Sequence, residues 1–225
     1  FTRQAAEEVC EVSLKTLLEL VNKCWLKRDE DGRFSMHELL RQYGAEALVA
    51  EGEHHDQVRR RHAAYYCDWL AAQEEAMVGP EQEATLVAVS RELGNIRLAS
   101  LATIKTGQLA RLARAVHALG LYYRWHGGYL AGDSFLPRLL QPAADHAASS
   151  QAAQLVQARL LVWRMELHSL LGHYQRSEAL VPEVLSMLAA LKQSGQSAEF
   201  ERMQIASTRG YNALLGTRRA EAVSY

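Results

Sequence analysis

The stretch Leu171-Gly172-His173-Tyr174-Gln175-Arg176-Ser177 joins an apolar helix, a glycine turn and a second helix that has a small residue near its start. Related stretches read Tyr122-Tyr123, then Gly128-Tyr129-Leu130-Ala131-Gly132, and later Leu215-Gly216 with Ala220. The small residues Gly132, Ser177 and Ala220 recur every 43 to 45 positions. A pair of helices that cannot bury its apolar face alone must stack on a neighbour, so the period predicts an α-solenoid of helical hairpins.

The composition favours a helical globular protein. Apolar residues make up 48% and charged residues 23% of the 225 residues, with only four prolines. The formal net charge of −1 provides no overall field for nucleic acid or anionic membranes, and no apolar run is long enough to span a bilayer. Cys10, Cys24 and Cys67 form no Cys-x-x-Cys pair, which predicts buried free thiols in a reducing cytoplasm.

The two ends of the sequence indicate a piece of a longer protein. Phe1 enters a helical pattern directly, and Val223-Ser224-Tyr225 closes what reads as an unfinished helix. We therefore expect a solenoid that is truncated at its C-terminus and some activities that reside outside these residues.

Residues 1–50 predict two helices, a hairpin and a third helix. Ser13 is a good N-cap for a helix over 13–24, and Gly32 marks the turn of a small β-hairpin. Ser35 and Glu38 have the spacing of a capping box, which would start a helix at this point. That helix would bury a stripe formed by four side chains: Leu39, Leu40, Tyr43 and Ala47. This order is typical of a winged-helix domain whose first helix is cut short.

The rest of the chain reads as helices separated by glycine, serine and proline breaks. Residues 51–106 predict a helical connector with helices over 54–77 and to about 105. Residues 107–225 predict repeats, with six helices over 108–126, 129–147, 151–171, 174–193, 197–215 and 217–225. The expected fold is mainly α, with a truncated winged helix and one small β-hairpin ahead of the solenoid.

The first hundred residues resemble a known family. The run from Leu26-Lys27-Arg28 to Met36-His37-Glu38-Leu39-Leu40 is similar to the end of the winged helix in STAND-class signalling ATPases with NB-ARC-type modules. Arg61-His62-Ala63-Ala64-Tyr65-Tyr66 and Asn95-Ile96-Arg97-Leu98-Ala99 resemble the helices that lead into tetratricopeptide-like (TPR-like) repeats in bacterial members, among them transcription regulators. The resemblance implies a regulatory, cytoplasmic part of such a protein.

The resemblance also implies a nucleotide sensor. In the family, a Met-His-Asp motif places its histidine against the β-phosphate of ADP, which here corresponds to Met36-His37-Glu38, with Glu in place of Asp. His37 is thus the candidate ADP sensor of the parent protein, since imidazole can donate to a phosphate oxygen. The alternative is that His37 is an ordinary residue at the start of a helix.

The sequence contains no GxxxxGK[ST] phosphate loop, so we expect no tight ATP binding and no hydrolysis by these residues. It also lacks a GxSxG motif, and Asp133 and Glu166 read as helix-surface residues. We therefore expect no enzyme activity and no bound cofactor for these residues, with ATP or ADP bound by the parent protein.

His54, His55 and His62 lie at seven- and eight-residue spacings, which favours a solvated helix start over a metal site.

The partners expected are a protein, a peptide or a small inducer on the repeats, and an ATPase module upstream in the same chain. Four aromatic residues are the candidate anchors, with Tyr174 as a possible fifth, although aromatics at helical spacing also suit a core: Tyr122, Tyr123, Trp125 and Trp163. Self-association is a further possibility.

Two other functions stay open. One is a helical-repeat scaffold without any link to a nucleotide. The other is a DNA-binding winged helix with a dimerisation array, in which the helix over 13–24 would enter the major groove. Acidic Glu7, Glu8 and Glu11 beside that helix disfavour contact with phosphates.

Overall fold

The structure, a computed structural model, describes the backbone of residues 1–147 and 150–223 and the side chains of residues 1–146 and 150–216. It is mainly helical, with one small antiparallel sheet of two strands, as the sequence predicts. The part of the chain that the structure covers has no helix both long enough and apolar enough to cross a membrane.

The N-terminal part, residues 1–50, contains three helices and the hairpin. Its elements are α1 (Arg3–Cys10), α2 (Leu14–Asn22), β1 (Leu26–Arg28), β2 (Phe34–Met36) and α3 (Glu38–Ala50).

The remaining elements are helices, with a short 3₁₀ turn at Ala76–Val78 between the first two. They are α4 (Glu53–Ala71), α5 (Gln82–Lys105), α6 (Leu109–Trp125), α7 (Tyr129–Phe135), α8 (Pro137–Ala147), α9 (Gln151–Leu170), α10 (Tyr174–Ala179), α11 (Val181–Gln193) and α12 (Glu199–Val223).

Local chemistry explains how the N-terminal part starts. The Ser13 hydroxyl accepts a hydrogen bond from the Thr16 backbone N–H at 3.2 Å, so Ser13 is the predicted N-cap of α2. The hairpin pairs Leu26 with Met36 and turns at Gly32, whose φ of +77° suits a residue without Cβ. A small core of four side chains joins these elements: Ala6, Leu17, Leu26 and Phe34.

The start of α3 differs from the predicted capping box. Ser35 lies in β2, and the N-cap is His37, whose Nδ1 accepts from the Leu39 backbone N–H at 3.3 Å. Glu38 instead accepts hydrogen bonds from the side chains of Arg41 and Gln42. The capping-box prediction was wrong because strand pairing extends to Met36 and holds Ser35 in the ladder.

The predicted buried stripe of α3 is also wrong. Leu39 is 69% and Tyr43 62% exposed, Ala47 is exposed, Leu40 is half-buried, and no residue of α3 is buried. The 3.6-residue period identifies the apolar side of a helix, but it does not supply a partner to cover that side. This exposed apolar side is called the α3 face below.

Helices α4 to α12 follow a regular packing order. Helices α4, α6, α9 and α12 pack on one another in succession, while α5, α7 with α8, and α10 with α11 flank them. The main core runs from Tyr66 and Leu70 of α4 to Trp163 and Leu167 of α9. The residues predicted as a connector over 51–106 therefore share a core with the first residues predicted as repeats.

Two helical hairpins are repeated at a spacing of 45 residues. Gly127 and Gly172 both turn the chain with positive φ, at +76° and +77°. Five residues later, Gly132 and Ser177 are both buried at the contact between the two helices of their hairpins. A helix, a glycine turn and a second helix are thus present at both of these predicted places.

The third predicted copy is not a hairpin. Helix α12 continues from Glu199 to Val223 through Gly216, so the break predicted between 215 and 217 is wrong. Gly216 is absent from the glycines with positive φ, and a helix tolerates such a glycine at a cost of about 1 kcal/mol. The side chain of Ala220, and Ser224 and Tyr225 altogether, lie outside the described residues.

Prolines divide two predicted helices. The helix expected over 129–147 breaks at Leu136 because Pro137 starts α8, and that expected over 174–193 breaks at Leu180 ahead of Pro182. Proline lacks a backbone N–H and suits the first turn of a new helix. The helix predicted over 54–77 ends earlier, at Ala71.

The cysteines are only partly as predicted. Cys67 is a buried free thiol, and burial raises its pKa to about 12. Cys10 and Cys24 are exposed, so the prediction of burial was wrong for both. They lie in the N-terminal part, whose small core leaves much of its surface in contact with solvent.

Candidate functional site

A groove of about 830 Å³ crosses one side of α6, α9 and α12 and is bordered by the turn after α4. Its large apolar lining residues are Val78, Leu121, Trp125, Trp163, Phe200 and Met203. Its charged and polar lining includes Glu74, Glu75, Arg124, Glu166, Gln204 and His117. This surface is called the groove below.

Helical spacing places each set of side chains on the groove. His117, Leu121 and Trp125 follow one another at four-residue intervals on α6, and thus lie on one face. Phe200, Gln204 and Ser207 follow one another at intervals of four and three residues on α12 and share a face in the same way. Helices α6, α9 and α12 therefore all contribute side chains to one open channel.

The groove exposes large apolar side chains. Trp125 is 47%, Phe200 46% and Met203 65% exposed to solvent, and Val78 is exposed as well. They come from the end of α6, the start of α12 and the turn after α4. A cluster of this kind, drawn from distant parts of the sequence, is typical of an interaction surface.

The floor of the groove is closely packed. Trp163 is 2% exposed, and a Cβ added at Gly120 would overlap its indole ring. The His117 ring lies 5.2 Å from the Trp163 ring and 4.3 Å from the Phe200 ring, measured between centroids. Gly120 is therefore what allows α6 and α9 to approach at this point.

A buried carboxylate joins all three helices. Glu166 of α9 pairs with Arg124 of α6 and accepts a hydrogen bond from Gln204 Nε2 of α12 at 2.6 Å. Arg124 also lies over the ring of Trp125, 5.0 Å from its centroid. Glu166 is 5% exposed, which corrects its prediction as a helix-surface residue.

A second pair holds the same helices below the groove. Arg159 Nε donates to Glu201 at 2.7 Å, and Arg159 Nη1 donates to the Ala113 carbonyl. Glu201 is buried, so its charge is compensated where water is scarce. These contacts position α12, and with it Phe200 and Met203.

Burial shifts the pKa values of His117 and Glu74 in the groove. Desolvation lowers the pKa of His117 to about 4, and the charge of nearby Arg159 acts in the same direction. The imidazole of His117 is therefore neutral near pH 7. His117 Nε2 lies 3.8 Å from Glu74, whose carboxyl pKa is raised by burial. Since His117 is neutral, it does not compensate the charge of Glu74.

The predicted aromatic anchors divide into two groups. Trp125 and Trp163 meet at the groove, although Trp163 is buried and forms its floor. Tyr122 and Tyr123 are buried in the core, which corrects their prediction as partner anchors. Tyr123 Oη accepts a hydrogen bond from Arg97 Nε at 3.0 Å. Tyr174 is half-buried beside a different cavity.

The predicted nucleotide sensor is not among the residues that line the groove. His37 is exposed between β2 and α3, next to the α3 face.

Asp133 is only partly buried, and its Oδ1 lies 2.9 Å from His168 Nε2. Within residues 1–147 and 150–223, no three His, Cys, Asp or Glu side chains are arranged to hold a metal ion.

Sequence reasoning missed Val78, His117, Phe200 and Met203. The four-residue spacing of His117, Leu121 and Trp125 was a usable signal for α6. No local signal identified Phe200 and Met203, because their role depends on how α12 packs on α9.

Comparison of the chain with models of protein families, with curated proteins and with solved structures gave no match in any of the three.

Proposed function

We propose that this chain is a binding and relay module whose stacked helical hairpins hold a peptide segment of a partner protein in the groove. The proposal is carried by one observation, the convergence of exposed Trp125, Phe200 and Met203 on a channel across three helices. Peptide recognition commonly uses such apolar channels, with aromatic anchors at their centre.

A tetratricopeptide-like solenoid is the architecture that best accounts for helices α4 to α12. The succession of α4, α6, α9 and α12, with flanking helices between them, supports this interpretation. So does the recurrence of Gly127 and Gly172 at a 45-residue spacing. In such an array the first helices of successive hairpins line one surface, and the groove lies on the surface shared by α6, α9 and α12.

A peptide library tests the binding role. Twelve-residue peptides displayed at random are selected on the purified chain, and their affinities are then measured by fluorescence anisotropy. We expect Met203→Asp to weaken selected peptides at least tenfold, because it places a charge in the apolar channel. Leu98→Asp is the matched control, since Leu98 is equally exposed but lies on α5 outside the groove.

Failure to select any peptide, or selected peptides that bind Met203→Asp as well as the unchanged chain, would refute the binding role. A small inducer would instead leave the library without binders and raise the melting temperature of the chain in a screen of small molecules.

A second proposal concerns residues 1–50. We propose that they are the truncated end of a winged helix that relays partner binding to a STAND-type ATPase module upstream in the same protein. The hairpin between α2 and α3, the exposed His37, and the uncovered α3 face support this role. An upstream module would cover the α3 face and bring ADP to His37.

The relay would be a two-state equilibrium. ADP would favour a state with His37 against the β-phosphate, and a partner in the groove would favour a rotated state that releases it. In the parent protein we expect His37→Ala to lose ADP faster and to raise basal activity. Unchanged ADP retention would refute the sensor role and favour a scaffold without a nucleotide link.

DNA binding through the winged helix is tested separately. A gel-shift assay on this chain at low salt, repeated at higher salt, would reveal phosphate contacts by their salt dependence. The acidic residues Glu7, Glu8 and Glu11 beside α2 lead us to expect no shift.

A further inference from the structure

The charged side chains of the groove are unevenly compensated. Among the described residues that line the groove, Arg124 is the single arginine or lysine, and Glu166 binds it on the floor. The other acidic side chains of the groove are Glu74 and Glu75, both on the border formed by the turn after α4. Within the described residues, neither carboxylate forms an ion pair with an arginine or lysine, although Arg159, which binds Glu201, partly offsets the effect of burial on the pKa of Glu74.

The border carboxylates lie beside the apolar anchors. Val78 follows Glu75 by three residues on this border, and it is exposed and lines the same groove as Trp125. Glu74 is the more enclosed of the two acids, and burial raises its pKa because its charged form loses water. A cation brought to this border would replace part of that lost hydration.

We propose that the groove is selective for a basic amphipathic segment of another protein, with a bulky apolar side chain on Trp125, Phe200 and Met203 and a lysine or arginine at Glu74 and Glu75. The inference rests on the proposed binding role of the groove and adds the chemistry of the partner. Opposite charges at the edge of an apolar contact contribute selectivity and register more than total affinity.

Other occupants fit the groove less well. An acidic segment would bring its carboxylates towards Glu74 and Glu75, and like charges at an interface are unfavourable. A purely apolar segment would leave the two border carboxylates without a cation and exclude water from Glu74.

The test uses a selected peptide in three forms that share their apolar residues and carry Lys, Gln or Glu at the charged positions. We expect the Lys form to bind about five- to twentyfold more tightly than the Glu form in 50 mM salt, as two partly exposed ion pairs allow. The ratio should shrink in 500 mM salt, where exposed charges are screened.

Charge reversal in the groove provides the decisive variant. Glu74→Lys with Glu75→Lys should invert the preference, so that the Glu form binds more tightly. The control is Glu30→Lys with Glu46→Lys, which changes the net charge equally at exposed sites outside the groove and should leave the order of the three forms unchanged. Circular dichroism and the melting temperature verify that both double variants are folded.

The outcomes separate the two proposals. Equal binding of the three forms, with loss of binding in Met203→Asp, would overturn the charge preference and leave the binding role intact. A dimer that dissociates in Met203→Asp would overturn it in favour of a second copy of the chain. The absence of any peptide binding would overturn both proposals.

Discussion

The two repeated hairpins use corresponding positions in opposite ways. Gly132 of the first hairpin contacts Tyr123 and Leu167, and a Cβ at this glycine would lie 2.7 Å from Leu167 Cδ1. Forty-five residues later, Ser177 and Asn212 replace Gly132 and Leu167, and Asn212 Nδ2 donates to Ser177 Oγ at 3.0 Å. The first junction is apolar and close, whereas the second is a buried hydrogen-bond network.

The buried polar side chains of the second junction form hydrogen bonds with one another and with the backbone. Ser177 Oγ donates to the Met165 carbonyl at 2.8 Å, and Asn212 also bonds to Ser169 and Glu178. Both Ser177 and Asn212 are buried. The comparison teaches that one packing arrangement can be held by shape at one junction and by hydrogen bonds at the next.

The largest effect is expected from Gly120→Ala at the contact between α6 and α9, next to the first junction. Its new methyl group would overlap Trp163, so α6 and α9 must separate, and we expect a loss of about 3 kcal/mol in the free energy of unfolding. Urea denaturation followed by circular dichroism measures this change. Gly210→Ala is the control, because nothing lies within 4 Å of its Cβ position, and it should be neutral or stabilising by up to about 1 kcal/mol. Equal effects of the two substitutions would contradict the close packing of Gly120 on Trp163.

The second junction is tested by a double-mutant cycle. Asn212→Leu removes the acceptor of the buried Ser169 hydroxyl and one of the two hydrogen bonds of Ser177, so we expect a loss of about 2 kcal/mol in the free energy of unfolding. Adding Ser177→Gly imitates the residue pair of the first junction, and the double variant should lose less than the sum of the single losses. Strict additivity, measured by urea denaturation, would mean that Ser177 and Asn212 are not coupled.

The contact between α6 and α9 should also respond to acid through His117. Its folded-state pKa of about 4 lies below the ordinary value near 6.5, so the unfolded chain binds more protons between these values. Stability should therefore fall as the pH drops from about 6.5 to about 4, and at pH 5 the loss from this group should reach about 2 kcal/mol. His117→Gln removes the titrating group, and its melting temperature should decline less over that window. Parallel declines in the two proteins would show that His117 titrates normally.

The smallest effect is expected at the edge of the second junction. Arg209 Nε lies 3.0 Å from Glu178, and both side chains are largely exposed. Arg209→Met should lower the free energy of unfolding by less than about 1 kcal/mol, since exposed pairs contribute little. A larger loss would extend the buried network of Asn212 to this pair.

Sequence reasoning located the two hairpins because their signals are local. Gly127 and Gly172 must adopt positive φ, and the small residues at 132 and 177 must fit close to another helix. The same reasoning failed at Gly216, since a glycine inside a helix and a glycine in a turn look alike in one sequence.

The candidate site was less predictable because it depends on packing between distant helices. Trp125 was identified by its residue type, but the burial of Tyr122 and Tyr123 beside it follows from their positions around α6. The exposed Leu39 shows the reverse case, where an amphipathic pattern is clear and its partner surface is missing from the described fold.

The pairing of Ser177 with Asn212 has a consequence for any rearrangement of this protein by duplication or recombination. If one hairpin took the place of the other, Ser177 would face Leu167, or Asn212 would face Gly132. A buried polar atom would then lose its hydrogen-bond partner. The two hairpins are therefore not interchangeable modules, and an engineer who shuffles them must transfer Ser177 and Asn212 together.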